Sequence, residues 1–230
     1  PPTARHELGS LAAAIDPARA ADLAGDLGDA EELHGALLLG TAFPAMRPVH
    51  GWQVDALRRI AADGWRTPRD QGGYQERLGR ALWSGAAPGG ALPAEQEPDL
   101  SGFRRAVWVE RARIALRELV PQRLGGAGVL VTAAELSDLA EAIFEVLLAE
   151  AGRHVARRCG APLRADGRAS SLVVLGMGKL GGRELNAGSD VDVIFFYDTD
   201  DGGAETSLHE HWARVAQRVT AAIDEPTADG

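Results

Sequence analysis

Cysteine is nearly absent: Cys159 stands alone in 230 residues, so no internal disulfide framework exists. Aromatic residues are scarce at 5% of the chain. The five tryptophans, Trp52, Trp65, Trp83, Trp108 and Trp212, are spread out, which suits packing better than a platform for stacking bases. No apolar run approaches the roughly 20 residues that a membrane helix needs. The first residues lack the basic segment and apolar run of a secretory signal, and the expectation is a cytoplasmic protein. Cationic excess is missing too. A net charge of -9 argues against broad nucleic-acid binding. What is present, 45% hydrophobic and 25% charged residues, is the balance of a globular protein. The chain opens Pro1-Pro2 without Met and stops at Asp229-Gly230 just after a helix-like stretch, so a piece of a longer protein is expected.

Residues 1 to about 160 read as helical, because Ala and Leu dominate and no alternating strand pattern appears. Breaks are expected at Asp16-Pro17, Phe43-Pro44 and Arg66-Thr67-Pro68, and a loop from Ser84 to Leu100. A helix from about Gly102 to Leu119 carries Arg104, Arg105, Arg111 and Arg113, read as a solvated basic surface. Thr132-Ala133-Ala134-Glu135 has the form of a capping box. The helix it would open carries Leu136, Leu139, Ile143 and Leu147 and extends to about Arg158. From 160 to 170 Gly, Pro and Ser suggest a linker. Then β-branched residues cluster: Leu172 to Leu175 reads as one strand and Val191 to Tyr197 as a second. Ser207-Leu208-His209-Glu210 resembles another capping box, opening a helix with Leu208, Trp212, Val215 and Val219 on one face. The expected architecture is mainly α with an α+β part: a helical domain over 1–165 and an α/β unit over 166–230. The histidines show no ligand spacing, and His209 and His211 are expected at the surface.

Between the two strands lies "GMGKLGGRELNAGSD". Two chemistries compete for it. Gly176-x-Gly178-x-x-Gly181 after a strand, with Asp198 22 residues beyond Gly176, matches a dinucleotide-binding turn. The residues between are too few for an ordinary crossover helix. The rival begins from Asp190-Val191-Asp192-Val193-Ile194. On a strand, residues two apart share a face, so both carboxylates would project together. Their repulsion is relieved by a divalent cation, and Mg²⁺ favours carboxylate and phosphate oxygens. Gly178, Gly181 and Gly182 would let the backbone approach a phosphate group, with Lys179 adding a point charge and Ser189 a further phosphate contact.

Gly178-Lys179 followed after ten residues by Asp190-Val191-Asp192 resembles the nucleotidyltransferase superfamily to which DNA polymerase beta belongs. Lys179 departs from the usual Gly or Ser, and one family shares that variant. "GMGKLGGRELNAGSDVDVIF" resembles the glutamine-synthetase adenylyltransferase family, also called glutamate–ammonia-ligase adenylyltransferase. "FRRAVWVERARIALREL", "TAAELSDLAEAIFE" and "EPTADG" resemble its segments on either side. The resemblance implies a partial DNA-polymerase-beta-like domain after the helical one. It implies Mg²⁺ on Asp190 and Asp192 and phosphate held by Gly178, Lys179, Gly181, Gly182 and Ser189. Implied partners are glutamine synthetase, ATP or ADP, phosphate and the PII signal protein. Glu184-Leu185-Asn186 and the helical region look more like the adenylyl-removing half than the attaching half. The third carboxylate of the superfamily would come from a strand beyond Gly230, since Asp198, Asp200 and Asp201 read as strand-end solvent residues.

Overall fold

The computed structural model describes residues 38–46, 50–62, 65–83, 96–203 and 205–224. Among the described residues the helices and strands with both ends defined are, in chain order, α1 (Gly51–Ala62), α2 (Gln71–Leu82), α3 (Leu100–Leu119), α4 (Val129–Cys159), β1 (Leu172–Gly176), the single turn α5 (Gly178–Gly181), β2 (Val193–Tyr197) and α6 (Leu208–Asp224). Helix dominates, and the two strands form one small antiparallel sheet, which makes the chain α plus β. Phe43-Pro44 leads into a 3-10 turn over Pro44–Met46, and Arg66 to Pro68 separates α1 from α2. The break at Asp16-Pro17 and most of the segment from Ser84 lie outside the described residues. Among the described residues no helix is long and apolar enough to cross a membrane.

Two compact units make up the chain. The first comprises Pro1–Asp70, Arg105–Ser137 and Glu184–Asp190; the second comprises Gln71–Arg104, Asp138–Arg183 and Val191–Gly230.

In the first unit, Leu39, Met46, Leu57, Ile60, Ile114, Leu116 and Leu136 are buried. Trp52 meets Trp108 edge-on at 5.4 Å between ring centroids, a packing pair. The arginines of α3 correct the expectation of a uniformly solvated basic helix. Arg113 and Arg117 are each 2% exposed. Arg113 donates from Nε to Glu110 at 2.9 Å and from Nη2 to Glu135 at 2.7 Å, and Arg117 also pairs with Glu135. Arg69 reaches Glu110 at 2.8 Å, and the Arg69 amide donates to Glu135 at 3.0 Å. Burying so many charges requires this mutual pairing, and removing one partner would strand another in a medium that solvates it poorly.

The same network overturns the capping box at Thr132. Helix α4 begins three residues earlier, with the Gly128 carbonyl accepting from the amides of Val131 and Thr132. Thr132 Oγ1 lies 2.8 Å from a Glu118 carboxylate oxygen, and Glu135 faces the arginines. A Thr-x-x-Glu pattern marks a helix start only when its backbone donors lack partners, and here they are inside the helix.

In the second unit, Asp99 caps α3 by accepting the Gly102 amide at 2.8 Å. Helix α2 buries Tyr74, Leu78 and Leu82, and α4 buries Leu139, Leu147, Ala151, Val155 and Cys159. Helix α6 packs on β2. Its buried stripe is Leu208, His211, Val215, Val219 and Ala222, with Trp212 only half-buried. His211 therefore departs from the expected surface position, while His209 is exposed. At its start, Ser207 Oγ accepts the Glu210 amide at 3.2 Å, but the Glu210 carboxylate pairs with Arg214 rather than closing a capping box. Arg218 grips the buried Glu150 of α4 with two hydrogen bonds of 2.8 and 2.6 Å. The expected linker is a folded segment. Leu163 bridges Ala169 across the Asp166-Gly167 turn, and Arg164 bridges Gly202.

Candidate functional site

Strand β1 runs from Leu172, opposite Tyr197, to Gly176, opposite Val193. The antiparallel register puts the C-terminal end of β1 beside the N-terminal end of β2. The glycine turn leaves the first and Asp192 enters the second, so they meet. The Met177 amide donates to the Asp192 carbonyl at 2.8 Å, carrying the pairing one step past the strands. A dinucleotide fold needs parallel strands, so the antiparallel pairing excludes that reading. Asp198 supplies a second reason. It lies six residues along from Asp192, roughly 20 Å away at strand rise.

Asp198 has a structural task at that far end. Its carboxylate accepts from Ser170 Oγ at 2.6 Å, and Trp212 Nε1 donates to the same Ser170 oxygen at 2.9 Å. The Ser170 bond, with smaller help from Arg164, holds its pKa below the usual carboxylate range. Asp200 accepts from the Tyr197 hydroxyl.

The turn itself is built on glycine geometry at two positions. Gly178 has φ +50, a left-handed conformation that side chains disfavour. At Gly181 an added Cβ would sit 2.6 Å from the Gly176 carbonyl oxygen. The Gly181 and Gly182 amides donate to the carbonyls of Met177 at 3.1 Å and Gly178 at 3.0 Å, so they close the turn. Asp192 Oδ2 lies 3.8 Å from where a Gly178 Cβ would be, so its carboxylate is next to the start of the turn. Lys179 is exposed on α5 and is the only lysine in the sequence; all other cationic side chains apart from histidine are arginines.

The strand begins two residues later than expected, at Val193, so Asp190 and Asp192 precede it. Asp192 is exposed, and among the described residues its carboxylate makes no hydrogen bond or ion pair. Asp190 belongs to the first unit, at the end of the Glu184–Asp190 segment. There the Asn186 amide donates to Ser189 Oγ at 3.2 Å and the Ser189 amide returns to the Asn186 carbonyl at 3.0 Å. Arg111 ties this segment to α3 by donating to the Ala187 carbonyl at 2.6 Å. Burial pulls the Arg111 guanidinium below its usual range, and the Asp190 charge opposes that pull. Among the described residues no three His, Cys, Asp or Glu side chains converge as a metal cage.

Two residues, one in each unit, escape sequence reasoning. Arg111 reads as one more surface cation. Arg183, immediately after the turn, has φ 55, the only positive value at a non-glycine among the described residues. Such a backbone costs about 1–3 kcal/mol unless its surroundings hold it. Its guanidinium pairs with Asp138 and, at 2.7 Å, with Glu141.

Residues 69–230 match the family model described as glutamate-ammonia ligase adenylyltransferase. A bifunctional glutamine synthetase adenylyltransferase/adenylyl-removing enzyme of Thioalkalivibrio sulfidiphilus is 44% identical over 124 residues, covering 53% of this chain and 12% of that protein. The protein of the same name from Burkholderia mallei is 41% identical over 178 residues, covering 75% and 18%. That of Ralstonia nicotianae is 33% identical over 179 residues, covering 72% and 18%. The chain thus spans 12% to 18% of the length of these relatives.

Proposed function

The chain belongs to the glutamate-ammonia ligase adenylyltransferase family, and from that premise we propose that it takes part in Mg²⁺-dependent nucleotidyl transfer on glutamine synthetase, in the direction that removes AMP. Its relatives are named as enzymes of both directions. Removal is favoured here by the segment Glu184-Leu185-Asn186 and the helical region before the turn. In this reading residues 1–165 are the helical domain and residues 166–230 open the catalytic one, in a cytoplasmic protein that also answers to PII.

The observation that carries the proposal is the carboxylate of Asp192 lying next to the start of the glycine turn. Asp190 and Asp192 are hard oxygen donors separated by one residue, and both are exposed, a donor set that suits Mg²⁺. When bound, the cation supplies charge neutralisation for an in-line displacement. The chain's own groups do the rest. The turn from Gly178 to Gly182 receives phosphate oxygens at close range, Lys179 adds a mobile positive charge, and Ser189 contributes a hydroxyl. An oxygen of inorganic phosphate attacks the phosphorus of AMP-tyrosine, the bond from phosphorus to the tyrosine oxygen breaks, and that oxygen takes up a proton. The products are ADP and unmodified glutamine synthetase. Preorganised electrostatics of this kind supply most of the acceleration in phosphoryl chemistry.

The test is release of ADP from adenylylated glutamine synthetase by the complete protein, with phosphate and Mg²⁺. Asp192→Asn is expected to lower the rate by about 10²- to 10³-fold. Its thermal midpoint should stay unchanged, because among the described residues the exposed carboxylate has no partner to lose. Undiminished ADP release would remove the reading.

A further inference from the structure

We infer that Arg183 is a positioning residue that anchors the glycine turn to α4, an inference that rests on the phosphate-holding role proposed for that turn. Four glycines lie between Gly176 and Gly182, and such a stretch has unusual freedom to lose on ordering. Its internal hydrogen bonds are those of a single turn. Buried Leu180 and the Met177 amide bond to Asp192 are two of its ties, and Arg183 adds another. Arg183 is attached directly to it: the Arg183 amide donates to the Leu180 carbonyl at 3.0 Å, so backbone closure and side-chain anchorage occur at one residue.

The anchor point is well built. Asp138 and Glu141 are three apart on α4, on one face of a 31-residue helix, and both carboxylates meet the Arg183 guanidinium. The planar fork of arginine can engage two carboxylates at once, which a lysine would do less rigidly. Glycine would adopt φ 55 without strain, yet the position carries an arginine whose side chain is paired. The division of labour is also clear from charge. Two carboxylates offset the guanidinium charge, so Arg183 acts on the turn's placement rather than on phosphate.

Arg183→Gly separates side chain from backbone, since it removes the anchor and relieves the strained φ. A second variant, Asp138→Asn with Glu141→Gln, leaves Arg183 intact and removes its partners. Amide exchange at Gly181 and Gly182 should rise about tenfold in both variants, with α4 amides near Leu147 unaffected. The dissociation constant for ADP with Mg²⁺ should rise about tenfold, ~1.4 kcal/mol. Arg183→Lys should recover part of both. A purely structural role would instead lower the thermal midpoint and leave the ADP constant alone. Unchanged exchange in both variants overturns the anchor. Faster exchange with an unchanged ADP constant overturns the positioning role. If the unmutated protein binds no ADP with Mg²⁺, the functional reading fails, and the exchange rates still decide whether Arg183 orders the turn.

Discussion

Carboxylates in two regions of the molecule live under opposite rules. Glu110 and Glu135 are 1% and 4% exposed and are surrounded by Arg69, Arg113 and Arg117. Asp192 is exposed and its carboxylate is unpartnered among the described residues. A sealed carboxylate must be matched to survive burial, whereas an exposed one can wait for a ligand because water already solvates it. Charge that serves the architecture is thus paired and hidden, and the Asp192 charge is left in reach of solvent.

The contrast is broken most forcefully from the buried side. Glu135→Leu should strand Arg113 and Arg117 and cost about 3–5 kcal/mol. That corresponds to a fall of about 10 °C in thermal midpoint, read by calorimetry. Asp192→Asn should do the reverse, sparing stability while lowering turnover about 10²- to 10³-fold. Next in size, Gly181→Ala sets a methyl against the Gly176 carbonyl, and overpacking of this kind costs about 1–3 kcal/mol. We expect a distorted turn, with ADP release lowered about tenfold or more.

Lys179 sharpens the comparison chemically. As these 230 residues hold one lysine, an amine-directed reagent has a single side-chain target among them. Labelling followed by mass spectrometry should find Lys179, and ADP with Mg²⁺ should slow its modification. Equal labelling with and without nucleotide would separate Lys179 from the phosphate site.

The smallest effect concerns His211, a buried group on the other side of this divide. Both of its ring nitrogens lack hydrogen-bond partners among the described residues. Burial, and then nearby Arg214, lower its pKa from the ordinary 6.5. The unfolded chain therefore binds the proton more readily than the fold does. Stability should be full above pH 6.5 and decline as the pH falls below it. His211→Leu should flatten that limb in a series of thermal midpoints against pH.

Much of the chain path around the candidate site could be read without coordinates. The β-branched clusters announce both strands, and the spacing of glycines and aspartates points to the turn and its carboxylates. Strand β2 starts later than its apolar run suggests because Val191, at 39% exposure, lies before the pairing begins. Thr132 and Glu135 misled because a capping box and a buried ion pair use the same letters, and only the arginines of α3, distant in sequence, decide between them. The spacing of His209 and His211 says nothing of burial, whereas counting from Leu208 along the helix places His211 on the buried stripe. Arg183 was invisible for a simpler reason. A backbone dihedral leaves no mark in the amino-acid letters unless glycine occupies the position.

The sheet has a consequence of its own. Val173, Leu175, Ile194 and Phe196 alternate onto one face and are 59%, 48%, 41% and 51% exposed. Among the described residues each strand also keeps one unpaired rim. An oily ribbon with open borders is adhesive, and other extended chains can add to it. Concentrated samples of this polypeptide should therefore clump through β1 and β2, and a charged replacement at Phe196 should keep them dispersed.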